Sequence, residues 1–231
     1  MQNNIKIVLD TNILYFMADA IVNSSYKYKY DHFISKTGGN LMVLDLVWSE
    51  FLSSFLHKKI NFKNYEQWYR DRNSIVSNVY MQLKRARTVF VKLTDDTLYV
   101  KLFEIAKEIL NTPAPKEFIE LLIKKLEDKI CGINKKQSNT EVIKDQNELR
   151  KIQQRWQHEL NEGKILDGMD SVILAYAALI GQKYCQNDIY VLSGDEYMVE
   201  YTNYIQKIGT NLLPDNLTAI SERELMRNFQ Y

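Results

Sequence analysis

Cysteine, histidine, proline and glycine are all scarce in this chain of 231 residues. Two cysteines, Cys131 and Cys185, are too few and too isolated for a disulfide framework or a thiolate metal site. They read as free thiols in a reducing compartment. Three histidines, His32, His57 and His158, are scattered along the chain, which argues against zinc. Three prolines and eight glycines argue against long disordered linkers. An excess of charge is also missing: 30 basic residues face 29 acidic ones, for a formal net charge of +1. A nucleic-acid surface would therefore have to be a local patch. No uncharged apolar run approaches the roughly 20 residues that span a bilayer. Asn3, Asn4, Lys6 and Asp10 break the basic-then-apolar pattern of a signal peptide. The expectation is a soluble cytoplasmic protein with no membrane partner.

What the chain does have is short apolar runs that end in acids. Ile5 to Leu9 is a buried-strand pattern, followed at once by Asp10, Thr11 and Asn12. Thr11 or Asn12 can cap the helix expected over Ile13 to Val22, with Ile13, Phe16, Met17 and Ala20 on one apolar face. Leu41 to Val47 is a second strand-like run, and Ser49-Glu50 opens a helix through Leu56. Asp45 falls within or beside that strand. From Phe62 to about Gly163 helical signals dominate. A long helix is predicted over Tyr65 to Thr88, with Trp68, Ile75, Val79 and Leu83 as its periodic apolar positions. Phe90 to Leu93 reads either as a short strand or as an extended linker. Helices over Thr94 to Leu110 and Lys116 to Ile130 flank the break at Pro113 and Pro115, and a nearly all-polar helix covers Glu141 to Asn161. Strand logic returns after Gly163. Leu166 to Asp170 leads into the apolar helix Ser171 to Ile180, and Ile189 to Leu192 is a strand ended by Ser193-Gly194-Asp195. Leu217 to Ile220 is a last strand, and Ser221 to Glu224 has capping-box chemistry.

Strands alternating with helices at both ends predict a three-layer α/β/α fold around a central, mostly parallel sheet. The chain is then one domain, formed by 1–61 and 164–231, with a helical insertion at about 62–163.

Four carboxylates occupy equivalent places in that pattern. Asp10 follows the first strand, Glu50 heads a helix after the second, Asp170 heads the apolar helix, and Asp195 follows the late strand. In an open parallel sheet these places lie at one edge. Clustered carboxylates repel one another, and a divalent cation relieves that repulsion. Hard oxygen ligands suit Mg2+ or Mn2+, and such a site suits phosphodiester hydrolysis. Each acid also has an ordinary structural reading as a strand-end, helix-start or turn residue. Asp167 fits best as the N-cap of the following helix and is otherwise an additional acid of the site.

These residues resemble the PIN-domain nucleases: Leu9-Asp10-Thr11-Asn12, then Ser49-Glu50, then Asp170 before Ser171 to Leu179, then Ser193-Gly194-Asp195. The resemblance covers 5–60 and about 164–230. It implies a parallel α/β/α fold and metal-dependent RNA cleavage, in a family that includes toxin ribonucleases of bacterial toxin–antitoxin pairs. It implies that Asp10, Glu50, Asp170 and Asp195 are the catalytic acids, with Asp10, Asp170 and Asp195 holding Mg2+ or Mn2+. It gives Thr11 or Asn12 the role of steadying the first acid, and Ser193 the hydroxyl position before the last.

The stretch 62–163 is longer than its counterpart in compact members of that family. Lys58, Lys59, Arg70, Arg72, Lys84, Arg85 and Arg87, with Tyr65, Trp68 and Tyr69, either form a basic, aromatic face for single-stranded RNA or are a solvated helix face over core aromatics. The insertion is alternatively a docking surface for an antitoxin, another partner or a second copy of the chain. Three other readings compete: a DNA-directed nuclease, a catalytically weak RNA-binding or assembly module, and a haloacid-dehalogenase-like phosphatase. The last needs a second Asp two residues after Asp10, where this chain has Asn12.

Overall fold

A computed structural model describes residues 5–22, 31, 33–35, 37, 39–57, 65–93, 95–124, 154, 158, 165–208, 211–221 and 224, with backbone alone at 54–57 and 65–70. In order, the elements are β1 (Ile5–Leu9), α1 (Thr11–Val22), β2 (Leu41–Leu44), α2 (Asp45–His57), α3 (Tyr65–Arg85), β3 (Val89–Val91), α4 (Asp96–Asn111), α5 (Gly168–Lys183), β4 (Asp188–Ser193), α6 (Glu196–Lys207) and β5 (Leu217–Ser221). The five strands form one parallel sheet in the order β3-β2-β1-β4-β5. Residues Met1–Ile109 and Gly168–Tyr231 make one compact unit, and Leu110–Asp167 a second.

Parallel strands are covered on both faces, so they read as unbroken apolar runs rather than alternating ones. Ile7, Val8 and Leu9 of β1, Val43 and Leu44 of β2, and Val191 and Leu192 of β4 are all fully buried. Helices α1, α2 and α3 pack together, while α5 and α6 lie on β4 and β5. Right-handed crossovers in this strand order put the two groups on opposite faces, which gives the α/β/α layering. Helix α5 is buried on nearly every side from Ser171 to Ala178, as expected of a helix without a polar face. The apolar positions expected in α3 are borne out where they are described: Ile75, Val79 and Leu83 are buried.

Three boundaries differ from the sequence reading in ways that matter. β2 ends at Leu44, and α2 starts at Asp45 rather than at Ser49. Asp45 accepts a hydrogen bond from the Leu46 N–H at 2.9 Å and places a negative charge in the first turn. Glu50 consequently sits in the second turn of α2 rather than at its head. α1 opens at Thr11, so Asp10, not Thr11 or Asn12, is the residue that precedes the helix. Val89–Val91 is a true strand paired with β2, so α3, β3 and most of α4 belong with the sheet, and the second compact unit begins only at Leu110.

In that second unit, residues 116–124 are helical and Leu122 is buried. Nearly all of the helix expected over Glu141 to Asn161 lies outside the described residues, as do Lys58 and Lys59. The capping box at the chain's end is present: Glu224 accepts from the Ser221 N–H at 2.9 Å, and the Glu224 N–H donates to Ser221 Oγ at 3.3 Å. Among the described residues no helix is long and apolar enough to cross a membrane.

Candidate functional site

β1 sits beside β4, while the connection from β1 runs the other way, to β2. The strand order therefore reverses between β1 and β4. Such a reversal leaves a crevice at the carboxyl ends of the two strands. Asp10 follows β1 directly and Asp195 follows β4 by one residue, so the two acids flank that crevice. The Asp10 N–H extends the sheet by donating to the Leu192 carbonyl at 3.0 Å.

Asp10 is only 3% exposed. Three donors hold its carboxylate: the Thr11 N–H on Oδ1 at 2.5 Å, and the Ser193 hydroxyl and the Asn12 amide on Oδ2 at 2.6 and 3.1 Å. A carboxylate offers about four acceptor positions, so most of them are filled. Burial nevertheless pushes Asp10 up to about 6 from 3.8. The Ser193 and Thr11 hydrogen bonds pull it down, and the charges of Asp195 and Glu50 push it further up.

Each remaining acid has its own anchor. Thr11 donates its hydroxyl to Glu50 Oε2 at 2.5 Å, while its backbone donates to Asp10, so one residue ties together acids from β1 and α2. Ser193, fully buried, donates to Asp10 and accepts from the Asp195 N–H at 2.9 Å. It thereby ties β1 to the turn after β4. Asp195 is the N-cap of α6: its Oδ1 accepts from the Tyr197 N–H at 2.8 Å and the Met198 N–H at 3.4 Å. Burial above all, and then the charge of Asp195, holds the Tyr197 phenol up at about 12.

Asp170 is half-buried in the first turn of α5. That helix leads into β4 and runs against it, so its start lies toward the carboxyl edge that Asp10 occupies. The carboxylates that raise Asp10 include Asp195 and Glu50. Asp167 is exposed and directly precedes α5.

The basic residues divide. Lys84, Arg85 and Arg87 are exposed around the end of α3. The Ala86 carbonyl there accepts from the Gly39 N–H, just before β2 begins. This places them at the amino edge of the sheet, opposite the acids. Lys84 also lies over the Tyr80 ring, 5.2 Å from its centroid. Arg72 is half-buried further up α3, and the Arg70 side chain is outside the described residues.

The donor set is oxygen-rich, without imidazole or thiolate, which is the ligand chemistry of Mg2+ or Mn2+. The mutual repulsion at Asp10 is what a cation relieves. Among the described residues, no three carboxylate, imidazole or thiolate side chains form a group that could hold a metal ion. The fit to a cation lies in donor type and charge rather than in a ready-made cage.

Sequence reasoning missed one feature of the rim. Phe16, expected on the apolar face of α1, is 43% exposed, although Ile13, Met17 and Ala20 are buried. Its spacing held the signal: it lies four residues after Asn12, and residues i and i+4 share a helix face.

Fold and site together define a parallel α/β/α protein with acids gathered at the crevice of its sheet. No family model, curated protein or solved structure matches the chain.

Proposed function

We propose that the protein is a PIN-like, metal-dependent endoribonuclease, of the kind found among bacterial toxin ribonucleases. One observation carries this reading. Asp10, Glu50 and Asp195, from three separate segments, meet at the switch-point crevice closely enough for the last two to raise Asp10. Gathering repelling charges is costly, and a stable fold has no need of it.

In this reading Asp10, Asp170 and Asp195 would hold Mg2+ or Mn2+, and the cation would supply charge to polarise the scissile phosphate and to acidify the attacking water. The Thr11, Asn12 and Ser193 donors fix the orientation of Asp10, so little reorganisation is needed when substrate arrives. Thr11 fixes Glu50, which completes the site or orients the attacking water. Water adds to phosphorus and gives up a proton, the bond to the leaving oxygen breaks, and that oxygen takes up a proton in its place.

The test is RNA cleavage by wild type, Asp10→Asn and Glu50→Gln, with Mn2+ and with EDTA. A loss of about 100-fold or more is expected for Asp10→Asn, together with full loss in EDTA. Equal rates for wild type and Asp10→Asn would falsify the assignment, and so would indifference to EDTA. Substitution of DNA for RNA decides between the two nucleic acids.

A second reading, a catalytically weak RNA-binding or assembly module, draws on a different observation. Asp10 is held by three donors and Asp195 caps a helix, so both acids already have structural work. Calorimetric titration with Mn2+ separates the readings: absence of binding favours the module.

A further inference from the structure

Helix α1 buries most of its apolar side chains but leaves one aromatic in solvent. Ile13, Leu14, Met17, Ala18 and Ala20 are each 2% exposed or less, yet Phe16 is 43% exposed. An isolated exposed apolar side chain is ordinary on a protein surface. The position of this one is not. A Cβ built on Gly194 would lie 2.7 Å from Phe16 Cε2 and 3.4 Å from Cζ, so the edge of the ring rests on the Gly194 backbone. Gly194 is the exposed link between Ser193, which donates to Asp10, and Asp195. One helical turn before Phe16, Asn12 donates to Asp10, and its Cβ lies 3.3 Å from the same built position. The ring thus sits on the turn that carries two members of the acidic site, with much of its surface open to solvent. A side chain at position 194 would displace it.

A phenyl ring has no charge and no hydrogen-bonding group, so what it can recognise is a flat apolar surface. Beside a site for phosphodiester chemistry, the flat surface at hand is the face of a nucleobase. Unstacked bases of single strands are commonly taken up by aromatic side chains. We infer that Phe16 is a stacking platform for a nucleobase of single-stranded substrate next to the scissile phosphate. This rests on the nuclease reading for the meaning of the site, but not for the contact itself. The platform accepts any base, because every base has a π-face.

The experiment compares wild type, Phe16→Leu and Phe16→Trp. Leucine keeps apolar cover over Gly194, so it preserves a purely structural role while removing the flat ring. Tryptophan keeps the ring. The readouts are KM for a short single-stranded RNA with Mn2+, and equilibrium binding of the same RNA by fluorescence anisotropy. Loss of the stack is expected to raise both KM and Kd roughly 5- to 150-fold in Phe16→Leu, with Phe16→Trp staying close to wild type. A single abasic residue walked along the RNA should weaken wild type by a similar factor at one position. Phe16→Leu should be insensitive at that position, because the two changes remove the same contact. Cleavage with unchanged KM and Kd in Phe16→Leu overturns the platform and leaves the nuclease reading standing. Binding that weakens in Phe16→Leu, in a protein that cuts no RNA, does the reverse. An RNA that wild type neither binds nor cuts overturns both.

Discussion

Asp10 makes the fold sensitive to pH in an unusual direction. Its carboxyl is raised by burial from 3.8 to about 6. Each decade of lost acidity disfavours the ionised form by about 1.4 kcal/mol, so ionised Asp10 costs the native state about 3 kcal/mol relative to neutral Asp10. The sign follows from proton counting. Between pH 3.8 and about 6 the native state holds more protons at this position than the unfolded state. Stability therefore falls as pH rises through that window, and it levels off above it. The perturbation that isolates this one group is Asp10→Asn, which keeps the size of the side chain and removes the charge. Urea unfolding of both proteins without divalent cation, from pH 4 to pH 8, measures the difference. Asp10→Asn should gain on wild type by about 1–3 kcal/mol between pH 4 and pH 8. The full 3 is not reached, because at pH 4 the unfolded-state carboxyl, at 3.8, is already more than half ionised, and the donors an amide leaves unpaired cost the same at every pH. Ser193→Ala supplies the internal check. It deletes a hydrogen bond that lowers Asp10, so the window should extend to higher pH. A wild-type-to-Asp10→Asn difference that stays flat from pH 4 to pH 8 would refute the reasoning.

Two further predictions concern the frame at the edge of the sheet away from the acids. A Cβ at Gly181 would meet Pro214 Cγ at 2.6 Å and Asn216 Oδ1 at 3.0 Å. The proline ring cannot swing away, and the Asn216 amide is engaged with the carbonyls of Gly181, Tyr184 and Asn187. Gly181→Ala should therefore lose about 1–3 kcal/mol in urea unfolding, and wild-type stability in that variant would contradict the tight packing. Arg87 has φ 56° just beyond α3, where the Thr88 N–H donates to the Leu83 carbonyl and the Arg87 N–H to the Lys84 carbonyl. This is a helix end that favours glycine. Relief of left-handed strain, less the extra freedom of unfolded glycine, should make Arg87→Gly more stable by about 0.5–1 kcal/mol. A lower thermal midpoint would count against this account.

Much of the site was legible because its signals are local. A run of buried β-forming residues followed by Asp10 marks a strand end within a window of six residues, and Ser193-Gly194-Asp195 does the same for β4. The capping box at Ser221 and Glu224 was legible for the same reason. Boundaries were harder where apolar residues run on past a strand. Leu46, Val47 and Trp48 continue the pattern of β2, but they belong to α2, because a short apolar run suits a strand and a buried helix equally well. Phe16 was misplaced because helical periodicity identifies a face without identifying which of its margins reaches solvent.

The sequence by itself determined the kinds of groups in the site and their places at strand ends and helix starts, since both depend on neighbours in the chain. Which groups meet was decided only by the tertiary structure. Asp10 and Ser193 are 183 residues apart and hydrogen-bond because β4 pairs with β1. Glu50 reaches Thr11 because α1 and α2 pack on the same face of the sheet. The same pairing order sends Lys84, Arg85 and Arg87 to the far edge, away from the acids. No local window encodes strand order: it is settled by burial of apolar surface over the whole sheet, and that burial also raises Asp10.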